Sequence, residues 1–145
     1  MLDLKTKQIL YCPELVAMSG AAWHPTKSDT FVVADIMKGP FLGTIESNTI
    51  QLKKLCSDSE RILQFPCWDE KGETIGMLYS HPITQPRKVI DGLATYSLST
   101  EEYRPRGSVT TKCWPVWWAG NFWMSDGGRI ARMSHDDEGD GEDCL

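Results

Sequence analysis

Four of the six tryptophans in this chain lie within ten residues, and this cluster is the most distinctive chemical feature of the sequence. Trp117 and Trp118 are adjacent, so on a β-strand their side chains must point to opposite faces. An aromatic ring hides roughly 150–250 Å² when buried, and leaving one in water is costly. Arg129 and Arg132 follow closely and can stack on an indole. The residues predicted to bind a partner are Trp114, Trp117, Trp118, Phe122, Trp123 and Arg129.

The tryptophan cluster has two interpretations that the sequence leaves open. In one, a second β-layer or a packed tail covers both faces, and the rings are core. In the other, one face binds a protein, a sugar or a single-stranded base. Aromatic rings beside arginine are typical of protein-interface hot spots and of single-strand binding platforms alike.

The chain contains few residues that could carry out nucleophilic catalysis. The histidines are His24, His81 and His135, and the first two precede prolines, which places them at loop starts with local hydrogen bonds. Cys67 can meet one of them only through the fold, because a Cys–His pair is recognised by geometry. No GxSxG, HExxH or phosphate-binding loop occurs. We therefore assign no catalytic residue and expect a protein that is not an enzyme.

The carboxylates and cysteines indicate neither a metal nor a cofactor. No CxxC pair or Cys–His cluster has zinc spacing. The acidic tail matches the first positions of a calcium-binding loop, but its twelfth position would lie past Leu145. Asp69 and Glu70 are expected at a solvated hairpin tip. Asp35 interrupts an apolar run, so if that strand is buried the carboxylate needs a partner, either structural or functional.

Charge is distributed unevenly along the chain. The net charge is −5, with a pI near 5.1. Residues 134–145 carry six acids and no Lys or Arg, whereas residues 1–133 are close to neutral. The sequence thus predicts a single β-rich domain over 1–133 and a disordered acidic tail over 134–145. A near-neutral body argues against tight nucleic-acid binding and leaves a single strand as the nucleic-acid ligand to consider.

Cysteine usage and hydropathy predict an intracellular protein, cytoplasmic or nuclear. The five cysteines are odd in number, and we expect free, mostly buried thiols. Asp3, Pro13 and Glu14 interrupt the apolar stretch near the N-terminus, which therefore does not fit a signal peptide. No run approaches the ~20 apolar residues that cross a bilayer, so no membrane association is expected.

Short apolar or alternating runs separated by turn residues predict strands along most of the chain. They fall at residues 4–10, 30–37, 41–46, 49–55, 61–68, 73–79, 87–99, 108–114, 116–118, 122–124 and 129–133. The strongest hairpin joins 61–68 to 73–79, with Gly72 at positive φ and Pro66 marking an edge strand or a bulge. Asp91-Gly92 is expected to split one strand, and residues 97–104 favour a short helical turn.

These runs predict an all-β fold, either a single antiparallel sandwich or a small barrel with a flexible acidic tail. No clean internal repeat is evident. Residues 22–27 and 31–35 resemble part of a WD-repeat blade, a family in which a Trp-Asp pair closes the blade, as Trp68-Asp69 could. The 44 residues between His24-Pro25 and that pair equal about a whole repeat rather than part of one. A closed propeller also needs several repeats, so we do not assign the chain to the family.

The leading hypothesis for function is a non-enzymatic protein-interaction or assembly module, a structural protein that binds a protein partner or itself through a Trp-rich β face. The alternative is a small β-barrel that holds a carbohydrate or single-stranded nucleic acid in an aromatic pocket. A hydrolase using Cys67 with His24 or His81 ranks third.

Overall fold

The computed structural model describes residues 10, 12–57, 61–80, 91–109, 114–126, 129–134 and 142–144. These form twelve strands in three four-stranded antiparallel sheets, each pairing strands in chain order. The first sheet holds β1 (Met18–Trp23), β2 (Thr30–Asp35), β3 (Gly39–Glu46) and β4 (Thr49–Lys54). The second holds β5 (Ile62–Trp68), β6 (Thr74–Ser80), β7 (Asp91–Ser97) and β8 (Glu102–Val109). The third holds β9 (Val116–Trp118), β10 (Asn121–Asp126), β11 (Arg129–Ser134) and β12 (Glu142–Cys144).

The second sheet is packed between the other two. Every residue of β6 is buried, as expected for a strand covered on both faces. Ile75, Met77 and Tyr79 join one core cluster with Val32 of the first sheet. Leu78 points the opposite way and joins a second cluster with Phe122 of the third sheet. The alternation of β6 therefore divides the hydrophobic core into two layers.

The three sheets repeat one local design. At or one residue before the end of the first strand of each sheet, a tryptophan pairs with the second residue of the next strand, which is large and apolar: Trp23 with Phe31, Trp68 with Ile75, and Trp117 with Phe122. The first strands are also neighbours, because β5 contacts both β1 and β9. Four-stranded meanders packed in series in this way are arranged like blades of a β-propeller. The equivalent tryptophans lie 45 and 49 residues apart, so the 44-residue spacing noted in the sequence is close to the distance from one sheet to the next, although the sequence itself shows no clean repeat.

The all-β prediction is confirmed, because the described residues contain strands and turns and no helix. The sandwich prediction is confirmed as face-to-face packing of antiparallel sheets, with three layers rather than two. No described segment forms a helix that is long and apolar enough to span a membrane. Glu142–Cys144 pairs with β11. The single-domain and disordered-tail boundaries stay predictions.

Several local predictions are confirmed with their physical causes. Ser47 and Asn48 form a turn, both with positive φ. Gly72 has a φ of 73°, as the β5–β6 hairpin requires. Pro66 lies on an edge strand and beside a bulge, since the β5–β6 register shifts between Gln64 and Cys67. A proline donates no N–H, and both places tolerate that loss.

One local prediction differs from the structure. Residues 98–101 form a turn rather than a helix, and β8 begins at Glu102, because cross-strand pairing outweighed local propensity there. Asp91 and Gly92 pair with Ser80 and Tyr79 at the start of β7, and residues 87–90, before the predicted split, lie outside the described residues. Of the strand predicted at 108–114, residues 108 and 109 belong to β8 and residues 110–113 lie outside the described residues. The strand predicted at 4–10 lies outside the described residues, apart from Leu10.

Candidate interaction surface

The β9–β10 hairpin positions most of the tryptophan cluster. Ala119 and Gly120 adopt φ values of 48° and 81°, which suit a tight two-residue hairpin turn. The Asn121 amide donates to the carbonyl oxygen of Ala119 at 2.9 Å and braces this turn. The turn sets Trp118 opposite Asn121, Trp117 opposite Phe122, and Val116 opposite Trp123.

Trp117 and Trp118 point to opposite faces of the third sheet. Trp117 packs against Phe122 in an edge-to-face contact with 4.7 Å between ring centroids, and both join the core shared with the second sheet. Trp118 is 68% exposed. One side of this short strand is therefore core, and the other presents an indole to solvent.

The solvent-facing side of the third sheet carries a second ring pair. Trp118 and Trp123 lie 5.7 Å apart between centroids, and Trp123 Nε1 donates to the carbonyl oxygen of Trp118 at 2.8 Å. This bond holds the pair in place without a partner. We call this surface the outer Trp face. Cross-strand register places Val116, Trp118, Asn121, Trp123, Ile130 and Arg132 among the residues on it.

Trp114 lies apart from that surface, at the meeting of the three first strands. Its ring stacks on Phe65 at 5.2 Å with 27° between planes, and it is 69% exposed. Phe65 sits in the β5 bulge with a φ of 50°, an uncommon backbone conformation for an aromatic residue. These rings border a cavity of about 210 Å³, which we call the first-strand groove. It is lined by Gly20, Ala21, Phe65, Pro66, Trp114, Pro115 and Val116.

The structure therefore divides the six predicted binding residues among different places. Trp118 and Trp123 share the outer Trp face, and Trp114 borders the first-strand groove. Phe122 is only 1% exposed and Trp117 packs beside it, so Phe122 offers no surface to a partner. Arg129 pairs with Asp126 at the start of β11, and its side chain lies outside the described set.

Sequence reasoning missed Trp23 and Phe65 as surface aromatics. Trp23 is half exposed and packs edge-to-face on Phe31. Its position before a loop and forty-five residues ahead of Trp68 was the available signal. Apart from the proline that follows it, no local sequence pattern predicts the left-handed backbone conformation of Phe65.

Trp117 also borders a polar cavity. Its Nε1 is buried without a hydrogen-bond partner. A cavity of about 290 Å³ lies between the β5–β6 and β9–β10 turns, lined by Asp69, Glu70, Lys71, Glu73, Trp117 and Gly120. Asp69 is buried rather than solvated as expected, because its Oδ1 accepts the backbone N–H groups of Glu73 and Thr74.

Asp35 is a structural acid. It is fully buried, and its two carboxylate oxygens accept four backbone N–H groups, from Val16, Ala17, Met37 and Lys38. Burial alone would raise the pKa of Asp35, but these four donors outweigh it and lower the pKa below its ordinary value. The carboxylate ties the chain before β1 to the β2–β3 turn.

The thiol and histidine that sequence reasoning offered for catalysis are both held in structural roles. Burial raises the pKa of Cys67 to about 12, so the thiol is protonated at neutral pH. His24 is buried against Trp68, and its Nδ1 accepts the backbone N–H groups of Thr26 and Lys27. The local hydrogen bonding expected for His24 is confirmed. His81 and His135 lie outside the described residues.

Within the described residues, no group of three His, Cys, Asp or Glu side chains is placed to hold a metal ion. The expectation of no cofactor stays a prediction.

Comparison with known proteins yields a fold likeness. No family model matches the chain, and no curated protein matches it. The chain is similar in structure to an oligogalacturonate lyase solved in complex with manganese, with a TM-score of 0.52 and 15% sequence identity. The match covers 85% of this chain and 31% of that one, so this chain spans about a third of the lyase's length. At this identity the likeness supports the fold alone.

Proposed function

We propose that this protein is a non-enzymatic interaction module that binds a protein partner through the outer Trp face. The observation that supports it most directly is the exposure of Trp118, 68% open to solvent while Trp117 beside it is packed into the core. An indole exposed to water on one face of a sheet whose other face packs into a core gains most when a partner covers it.

The outer Trp face has the features of a binding hot spot. Two indoles contact each other, and a hydrogen bond from Trp123 to the Trp118 backbone fixes their arrangement. Val116 and Ile130 add exposed apolar surface around them. A surface organised before binding loses little conformational entropy on association. An apolar protein surface fits this face better than a charged polymer does.

We also propose an intracellular location. Cys12 and Cys67 carry free thiols, as a reducing compartment would maintain. This support is independent of the outer Trp face.

Ligand binding in the first-strand groove is a second candidate function. The observation favouring it is the Trp114–Phe65 stack beside a 210 Å³ cavity, since stacked exposed rings bind sugars and single-stranded bases. Quenching of tryptophan fluorescence that Trp114→Ala abolishes, and Trp118→Ala leaves unchanged, would support this second function. Quenching by an oligonucleotide would also weaken with salt.

The test of the interaction function is site-specific photo-cross-linking. A photo-reactive phenylalanine analogue replaces Trp118 in one variant and Lys53, an exposed residue of the first sheet, in the control. We expect protein adducts at position 118 and none at 53, in the purified protein or in extract of its source cells. Equal labelling at both positions, or none at 118, would overturn the proposal. Trp118→Ala is expected to leave the melting temperature unchanged, because the side chain is largely exposed.

A further inference from the structure

Three sheet edges meet at the first-strand groove. β1, β5 and β9 are each the end strand of their sheet, so each presents along one side backbone groups that its own sheet leaves unbonded. β1 contributes Gly20 and Ala21 to the lining, β5 contributes Phe65 and Pro66, and the start of β9 completes it. The groove therefore lies where strand edges converge, and a ligand in it meets backbone as well as rings.

Two of these three edges carry features that prevent another strand from adding to them. Pro66 lies in the bulged part of β5, and Pro115 comes directly before β9. A proline has no N–H to donate, and proline or a bulge on an edge strand hinders further pairing. None of the six residues of β1 is a proline or carries a charge, and its register is regular from Gly20 to Trp23. β1 is thus the edge that is open to strand addition.

The hydrogen-bond register of β1 identifies the backbone groups on that open edge. The N–H of His24 donates to the carbonyl oxygen of Thr30 at 3.0 Å, so these two residues form a hydrogen-bonded pair. Such pairs alternate along an antiparallel ladder, so Ala22 bonds toward β2 and the N–H and C=O of Ala21 point away from it. Ala21 is exposed and lines the groove, and among the described residues no other strand bonds to it. It therefore presents one free donor and one free acceptor.

An aromatic pair lies beside the open edge. A methyl group placed on Gly20 would lie 3.4 Å from the Cα of Phe65, so this face of β1 is directed at the β5 bulge. The Phe65 ring stacks on Trp114 with 5.2 Å between centroids. The Phe65 φ of 50° is costly for an aromatic residue, and strain of this kind is concentrated at ligand-binding sites. A residue of an added strand opposite Gly20 would point its side chain to the same face, toward these rings.

The side chains of the lining distinguish among the ligands that aromatic rings can hold. None of the described residues that line the groove carries a charge, so no side chain there neutralises the phosphates of a nucleic acid. None has a hydroxyl, amide or carboxylate group either, which leaves the hydroxyl groups of a sugar with few side-chain partners. An extended peptide brings its own N–H and C=O groups, and these match the donor and acceptor of Ala21.

We propose that the first-strand groove binds an extended, uncharged peptide segment of a partner protein, which pairs with Ala21 on the open edge of β1 and places an apolar side chain on Trp114 and Phe65. This inference rests on the second candidate function, ligand binding in the groove, and names the class of ligand. The main-chain hydrogen bonds supply affinity, and the ring pair selects the side chain opposite Gly20.

The experiment screens the full chain against an array of capped, uncharged peptides of about six residues, the length of a common strand. Calorimetry then measures the best peptide, with cellohexaose and oligothymidylate as the competing ligand classes. We expect a peptide to bind, and Trp114→Ala to raise its dissociation constant about tenfold or more, because a ring that covers the peptide side chain is lost. Trp118→Ala is the matched control, a similarly exposed tryptophan outside the groove.

N-methylation of the peptide tests strand pairing without altering the protein. Every second N–H of an extended peptide faces β1, so methylating one alternate set of nitrogens should abolish binding and methylating the other set should leave it unchanged. Ala21→Pro removes the matching N–H from the protein, on an edge strand where proline is tolerated, and should also weaken binding about tenfold or more.

Several outcomes would overturn the peptide inference. These are equal affinity for both methylated peptides, no binding peptide in the array, or peptide binding that Trp118→Ala weakens and Trp114→Ala does not. Binding of cellohexaose or oligothymidylate alone would overturn it too, but ligand binding in the groove would then stand with a different ligand. If none of the three classes binds, that second function fails as well. The outer Trp face is decided separately, by cross-linking at position 118.

Discussion

The joint between the first and second sheets differs from the joint between the second and third, although a tryptophan at the same repeat position forms each. The first joint has a cluster of eight buried residues, and Trp68 donates its indole N–H to Ala22. Among the described side chains, the second has a cluster of four, and the N–H of Trp117 is buried without a partner.

This difference shows which properties the repeat controls. Strand register fixes the position of the tryptophan in its strand and the neighbouring sheet that its side chain faces. Its hydrogen bond depends on how closely the neighbouring first strand approaches. β5 packs on three strands of the first sheet, whereas its described contact with the third sheet runs mainly through β9. The second joint should therefore open more easily than the first.

The largest expected effect comes from truncating the apolar partner of each tryptophan. Phe122→Ala should cost about 3–5 kcal/mol and Ile75→Ala about 2–5 kcal/mol, because each leaves a cavity in a buried cluster. Hydrogen exchange should distinguish them. Phe122→Ala is expected to lower protection in β9–β11 alone, and Ile75→Ala in the first and second sheets together. Uniform loss of protection in both variants would mean that the joints do not open separately.

Removing the buried charge of the first sheet should have the next largest effect. Asp35→Asn replaces one acceptor oxygen by an amide that faces N–H groups, so we expect a loss of about 2–4 kcal/mol near pH 7. The folded-state pKa of Asp35 is lowered, so its contribution is present above the ordinary carboxyl value of ~3.9. The contribution is lost as pH falls through the lower, folded-state value.

Urea unfolding of the two proteins from pH 7 to pH 2 measures this effect. The stability difference between wild type and Asp35→Asn should shrink steadily in acid. A difference that is constant across this range would show that the carboxylate charge contributes nothing to the first sheet.

The smallest expected effects test the indole hydrogen bond at each joint directly. Trp68→Phe removes a buried indole donor and its hydrogen bond to the Ala22 carbonyl, so we expect a loss of about 0.5–1.5 kcal/mol from that bond. Trp117→Phe removes a donor that has no partner, and the cost should be clearly smaller. Equilibrium unfolding of both variants decides the question. Equal losses would indicate that indole size, rather than the hydrogen bond, sets the strength of each joint.

Local features of the fold were predictable from the sequence. Turns at Ser47-Asn48, Gly72 and Ala119-Gly120 follow from residues that tolerate positive φ or suit tight reversals. The opposite orientations of Trp117 and Trp118 follow from strand geometry alone, and the buried, bonded state of Asp35 follows from its apolar neighbours.

The order of the sheets was not predictable in the same way. The distance from the WD-like segment to Trp68 is the distance from one sheet to the next, and not a spacing within one blade. The pairs Trp23–Phe31, Trp68–Ile75 and Trp117–Phe122 share a position but little identity, so the repeat is visible only in the backbone. Which tryptophan became core depended on the neighbouring sheet, and a local pattern carries no information about that.

Pairing in strict chain order has a consequence for how the protein is made. Each sheet hydrogen-bonds only strands that follow one another, so its backbone ladder can close as soon as its last strand leaves the ribosome. The Ala22 carbonyl and the Val32 side chain of the first sheet then stay exposed to solvent until the second sheet is synthesised. Nascent chains stalled between residues 55 and 98 would therefore be the ones most dependent on chaperones.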